Sequence, residues 1–283
     1  MAFATVSIFW GTTFLAIHIG IQSIPPFIMA GCRHTIAGIL IISFFILRGH
    51  KLPDRKALKT FSINGMLMLA GGNGIISWAM LYVDSGLTAL LCALTPVWIV
   101  LINKLLGSKE PITVLAVLGF VICLVGQVLL FKDKVQLFES QHYLFGIIAI
   151  IVSNIFWALG TIYSKNHVSN TPALFAAGLQ MIPGGMLLFT AAYFKGEYSA
   201  IHPQPDALWS LAYLIVFGSI LAYGAYMYVI KQLPASIVST YAYINTFVAI
   251  FLGWLWLNET LDAATIIAMV FTITGVYLIT KNS

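Results

Sequence analysis

The chain has 283 residues, of which 60% are hydrophobic and 8% charged, against about 25% charged in an ordinary soluble domain. A mean hydropathy of +0.96 makes lipid the solvent for most of the chain. So apolar a chain excludes a nucleic-acid binder, a secreted domain and a large extramembrane enzyme domain, and its formal charge of +5 is a thin balance of 14 basic against 9 acidic residues.

A membrane-crossing helix needs roughly 20 apolar residues. The apolar runs predict ten helices, at about 3–22, 26–47, 60–82, 87–106, 112–131, 143–164, 172–194, 207–230, 235–256 and 262–280. The breaks carry turn residues: Pro25-Pro26, Pro53-Asp54, Asp84-Ser85-Gly86, Pro111, Pro172 and Pro234. Proline suits a first helical turn, where its missing N–H is no loss. The first run has no Lys or Arg before it, so it lacks the charged start of a signal peptide. Cys32, Cys92 and Cys123 sit in apolar runs without metal-ligand spacing and read as structural thiols.

The first helix is matched in mid-chain. Ile8-Phe9-Trp10 recurs as Ile155-Phe156-Trp157, an offset of 147. At that offset Pro25 meets Pro172, Gly31 meets Gly178, Gly38 meets Gly185, and Gly49 meets Gly196. Later, Tyr82-Val83 meets Tyr228-Val229, and Glu110 and Gly126 meet Glu259 and Gly275. Chance pairs apolar residues easily, but not Trp, Pro, Glu and several Gly in order. A duplicated five-helix unit follows, with residues 1–131 as the first repeat, 132–142 as a connecting loop and 143–283 as the second repeat.

Five is odd, so the second copy enters the membrane from the opposite side. With the N-terminus inside, ten Lys and Arg fall in inner loops and three (Lys132, Lys134 and Lys195) in outer ones, with Arg33 left in a helix. The positive-inside rule then puts both termini in the cytoplasm and the connecting loop outside. Inverted repeats of this kind are a signature of secondary transporters.

Phe9-Trp10-Gly11-Thr12-Thr13, the Pro25-Pro26 turn, Ala30-Gly31-Cys32-Arg33, and the Glu110…Gly126 and Glu259…Gly275 segments resemble the EamA family of the drug/metabolite transporter superfamily. The resemblance covers the whole chain. It implies an all-α integral membrane protein of ten transmembrane helices, arranged as two inverted five-helix EamA repeats around a central cavity. It also implies a bacterial inner-membrane exporter of amino acids, other metabolites or drugs, working by alternating access. The second copy departs from the first where Arg33 is met by Gln180.

Polar and aromatic residues within apolar helices mark the expected substrate site, because a polar stripe in lipid turns inward. Helix six carries Asn154, Trp157 and Thr161 on one face. Trp10 is the repeat mate of Trp157. Helix three offers Asn73, Ser77 and Trp78, and helix four offers Thr95 and Trp98. Helix eight adds Tyr223, with Ser219 and Tyr226 near it; helix nine adds Tyr243 and Asn245, with Ser239 and Thr240. Trp209, Trp256 and Tyr193 lie near helix ends and read as interfacial aromatics.

Gly71-Gly72-Asn73-Gly74 reads as a close, kinked helix contact, with Asn73 either lining a cavity or bonding between helices. Arg33 is either a gate or carboxylate contact, or a structural bond to helix-end carbonyls. His18 and His34 are either hydrogen-bonded structural residues or proton carriers. The chain shows no catalytic, metal-binding or cofactor motif, and its expected partners are the bilayer and a small-molecule substrate. The alternative reading is an integral-membrane enzyme acting on a lipid, which a cluster of acids or metal ligands would favour.

Overall fold

The computed structural model describes residues 1–107, 113–132, 140–167, 169–233, 238 and 241–280. Taking continuous runs as single rods, the described residues form ten. They are α1 (Ala2–Gly20), α2 (Pro26–Leu47), α3 (residues 55–79), α4 (Ser85–Leu105), α5 (Val114–Lys132), α6 (Gln141–Asn166), α7 (Ala173–Phe194), α8 (Pro205–Gln232), α9 (Tyr241–Leu257) and α10 (Ala263–Thr280). Six of them, α1, α2, α4, α6, α7 and α8, are long and apolar enough to cross a membrane.

Local chemistry sets the ends. Pro26 and Pro205 open α2 and α8. The Asp54 carboxylate accepts the Ala57 N–H at 2.8 Å and starts α3 earlier than the apolar run alone predicts. Arg55, Lys56 and Lys59 therefore lie in its first turns rather than in a loop. Gly49 and Gly196, repeat mates, end α2 and α7 with φ of 84° and 70°, a conformation that glycine adopts without strain. The expected starts of the fifth and ninth helices, with Pro111 and Pro234, lie outside the described residues.

Three rods are irregular. Helix α3 is π-helical over Met66–Gly74, and α8 over Leu214–Tyr223. The two wide segments fall at matching places in the repeats. Helix α4 breaks between Cys92 and Thr95, because Pro96 has no N–H to give.

The packing repeats with the sequence. Helix α2 lies along α7, and α5 along α10. Helix α1 packs on α9 and on the middle of α8; its counterpart α6 packs on α4 and on the middle of α3. The closest approaches are paired as well. A Cβ added at Gly38 would stand 3.1 Å from the Gly178 carbonyl, and one at Gly185 would stand 3.2 Å from the Gly31 carbonyl. Across α5 and α10, a Cβ at Gly126 would meet the Ala268 carbonyl at 3.2 Å, and one at Gly275 the Gly119 carbonyl at 2.5 Å. Without a hydrophobic drive between helices in lipid, small residues that let backbones meet supply the packing. Each contact recurs with both partners replaced by their offset mates in the other half.

Carboxylates tie loops to helix starts. Glu197, after α7, accepts the Phe27 and Ile28 N–H groups at 3.0 Å each. Partial burial raises its carboxyl above the ordinary value, opposed by those two bonds and by Lys195. Glu259, after α9, accepts the Ser85 N–H at 2.7 Å, the Ser85 hydroxyl at 2.6 Å and the Gly86 N–H at 2.8 Å. At the opposite ends of the rods, Lys165 donates to the Ile230 and Leu233 carbonyls, and Lys231 to those of Ser169 and Thr171. Each ammonium closes a helix end or loop that would otherwise leave its carbonyls unpaired.

Candidate functional site

A cavity of about 540 Å3 of atom-free space, its mouth included, lies among α1, α3, α4, α6 and α9, beside the π segment of α3 and the break in α4. Trp10, Thr13, Phe14 and Ile17 of α1 form one wall. Asn73 and Ile76 of α3 and Cys92 and Thr95 of α4 form the next. Asn154 and Trp157 of α6, with Tyr241, Ala242 and Asn245 of α9, complete it. Among the described residues that line it, none is acidic or basic.

An aromatic cluster closes one end. Trp10 meets Trp157 edge to face at 5.2 Å, Tyr226 at 5.0 Å, Tyr241 at 4.9 Å and Tyr223 at 6.4 Å. The repeat-related indoles therefore touch rather than stand apart across the cavity. From this plug the lining runs along α1 toward its C-terminal end at Ile17. Trp10 is held by donating to the Gly218 carbonyl at 3.2 Å. Gly218 lies in the second π segment, where wide turns leave backbone acceptors free for such bonds.

Asn154 works at the break in α4. Its Nδ2 donates to the Leu91 carbonyl at 2.9 Å, and its Oδ1 lies 3.4 Å from the Thr95 hydroxyl oxygen. Thr95 donates its one hydroxyl hydrogen to the Cys92 carbonyl at 2.7 Å, a group that Pro96 cannot serve. The break thus presents polar groups to the cavity and satisfies most of them internally. Two groups are left over. The Trp157 indole N–H faces the Tyr226 and Tyr241 hydroxyls without a well-directed hydrogen bond, and the Asn245 Oδ1 has no partner, although the residues are only 7% and 5% exposed. Buried polar atoms are normally paired, so these two are the points at which an occupant would bond.

Six of the expected substrate residues come together here: Trp10, Asn73, Thr95, Asn154, Trp157 and Asn245. Five do not line the cavity. Ser77 donates back to the Asn73 carbonyl. Trp78 packs on Tyr82 and under the Lys195 ammonium. Trp98 packs in an apolar cluster between α4 and α6. Thr161 bonds the Tyr226 hydroxyl at 2.8 Å, behind the aromatic plug. Tyr223 donates to Gln180 Oε1 at 2.6 Å. The Tyr243 side chain, Ser239 and Thr240 lie outside the described residues. Tyr241, Ile76 and Ala242 line the cavity without having been singled out, as do Phe14 and Ile17, which share the Trp10 face of α1, Thr13 of the motif, and Cys92, read above as a structural thiol. Most carry no signal, being unremarkable residues in apolar helices, although Tyr241 belongs to the same aromatic series as Tyr223 and Tyr226.

Arg33 is buried, away from the lining. It donates through Nε to Ser219 Oγ at 2.9 Å and through Nη1 to Asn73 Oδ1 at 3.1 Å. Its repeat mate Gln180 likewise spans α3 and α8, accepting from Asn64 at 2.8 Å and from Tyr223. The departure from the repeat therefore keeps the bridging role and drops the charge. His34 is fully buried with neither ring nitrogen bonded, and His18 has Nδ1 unbonded; neither lines the cavity.

The comparisons with known proteins match the chain in two parts. The EamA-like transporter family matches residues 1–132 and again 144–281. The chain belongs to that family. The inner membrane transporter YedA of Escherichia coli K12, uncharacterized by its name, is 34% identical over 274 residues, covering 96% of this chain and 87% of that one. The uncharacterized transporter YoaV of Bacillus subtilis is 26% identical over 275 residues, covering 97% and 94%. A solved crystal structure shares the fold at a TM-score of 0.72 with 19% identity, covering 98% of this chain and 95% of its own.

Proposed function

We propose that this EamA-family protein is an inner-membrane secondary transporter that exports small metabolites, such as amino acids or amphipathic drugs, by alternating access. The observation that carries this reading is the central cavity, in which a buried donor on Trp157 without a well-directed partner and an unpaired buried acceptor on Asn245 stand between aromatic walls. Its lining comes from both repeats, as a site near a pseudo-two-fold must. The aromatic plug shuts one end and the cavity extends from the other, the form of one state of an alternating cycle. The printed name of the Escherichia coli relative supports the inner membrane. The export direction follows from the family resemblance. An enzyme acting on lipid is not favoured, since the described lining residues offer no carboxylate or histidine to activate Cys92 or a threonine.

In this reading the ten rods are ten crossings, with both termini in the cytoplasm. Labelling tests the orientation. A cysteine at Ser199, exposed after α7, is expected to react with an impermeant thiol reagent added to intact cells, and one at Lys56 is not. The reverse pattern overturns the arrangement.

Binding tests the site. A thermal-shift screen of the purified protein against amino acids, amines and drugs is expected to find stabilising solutes, since a ligand of the folded state stabilises by mass action. Trp157→Ala removes the indole donor and an aromatic wall, and a hydrogen bond to a charged solute group is worth about 2 kcal/mol. It is expected to weaken those solutes by roughly tenfold to thirtyfold, at 1.4 kcal/mol per factor of ten. Unchanged stabilisation in the variant places binding elsewhere.

A further inference from the structure

We propose that Arg33, acting through Asn73, makes the cavity select solutes that present a carboxylate, and reject amines. This rests on the cavity being the solute site. Arg33 is 2% exposed, and its two bonded partners, Ser219 and Asn73, are neutral. Among the described residues it has no carboxylate partner. A buried cation without a counter-ion is unfavourable, and an anion brought nearby relieves it.

Asn73 is the link between the two. It lines the cavity and receives the guanidinium at 3.1 Å. Guanidinium groups only donate, so the Oδ1 of Asn73 must face Arg33. That removes the usual ambiguity between amide oxygen and nitrogen. The NH2 is then the polar end remote from Arg33, and a bond to a cation polarises it as a stronger donor. Trp157, also on the lining, carries a second donor, an indole N–H with no well-directed partner. Two donors and an unneutralised positive charge suit a carboxylate.

The aromatic walls raise the opposite possibility, since ring faces attract cations. Trp10 makes four ring contacts within 6.5 Å, and Trp157 makes three. These rings spend much of their faces and edges on one another. Among the described residues, no acidic one lines the cavity to favour an ammonium. Arg33 is thus a positioning residue that sets charge preference without reaching the solute.

The test is equilibrium binding of three matched probes, 3-phenylpropionate, 3-phenylpropionamide and 3-phenylpropylamine, to the purified full chain at pH 7. The carboxylate is expected to bind about tenfold to thirtyfold tighter than the amine, with the amide between. Arg33→Gln is expected to bring that ratio near one, and Arg33→Lys to restore part of it. Where Arg33→Gln does not fold, Asn73→Asp keeps Arg33 and gives it a counter-ion; the order is then expected to reverse, with the amine tightest. Equal binding of all three probes to the wild type, or tightest binding of the amine, overturns the charge preference and leaves the cavity as a binding site. A ratio unchanged by Asn73→Asp also overturns it. Binding of none of the three to folded protein overturns both the preference and the cavity reading.

Discussion

Gly65→Ala is expected to lower the amount of folded protein in the membrane at least tenfold. Gly65 sits where α3 crosses α7. A Cβ there would stand 2.0 Å from the Gln180 carbonyl oxygen and 2.8 Å from its carbon. Both are backbone atoms, so no side chain can swing aside. Alanine gains up to about 1 kcal/mol of helix propensity over glycine, while overpacking costs about 1–3 kcal/mol and more where backbone must move. The clash wins. It also displaces Gln180, whose side chain receives Asn64 at 2.8 Å and Tyr223 at 2.6 Å. Fluorescence-detected size exclusion of the solubilised membrane measures the effect; a wild-type peak height would show that α3 and α7 do not cross at this point.

Glu259→Ala is the second large loss. The carboxylate receives two N–H groups and a hydroxyl at the start of α4, all within 2.8 Å. Ser85 is fully buried, so water does not replace the lost acceptor there. Each buried donor left unpaired costs about 1–3 kcal/mol, and the anion adds roughly 0.3–1 kcal/mol against the helix dipole. A loss of about 3 kcal/mol follows. Glu259→Gln keeps one acceptor oxygen and is expected to lose about half of that. Denaturation midpoints of the purified variants give the comparison, and equal midpoints for wild type and Glu259→Ala would mean that the cap contributes nothing.

The repeat was legible because it is written in residues that lipid makes expensive or packing makes necessary. Gly31, Gly38, Gly178 and Gly185 recur at one offset because they form the α2–α7 crossing. Trp157 stood out as a deep indole with Trp10 as its repeat mate, and Asn73, Asn154 and Asn245 as amides within apolar helices. All five line the cavity. The same logic overreached at Trp78 and Trp98, which find ordinary packing. It also could not tell a cavity from a buried bond at Thr161 or Tyr223.

The π segments were half legible. Gly71-Gly72-Asn73-Gly74 reads as a kink, and their missing side chains leave room for Phe156, Trp157 and Leu188. The matching segment in α8 has only Gly218, too little to mark it in advance. Arg33 was visible as a buried charge. Its partner Ser219 lies 186 residues away, and only the fold brings it within 2.9 Å.

The central claim is that solute passes through the cavity between Trp10, Trp157 and Asn245. Counterflow into proteoliposomes tests it most directly, using a solute found by thermal shift and equal amounts of wild-type and Trp157→Ala protein. The account predicts saturable counterflow for the wild type and a half-saturating concentration raised roughly tenfold to thirtyfold in the variant. Identical counterflow by the two proteins would contradict it.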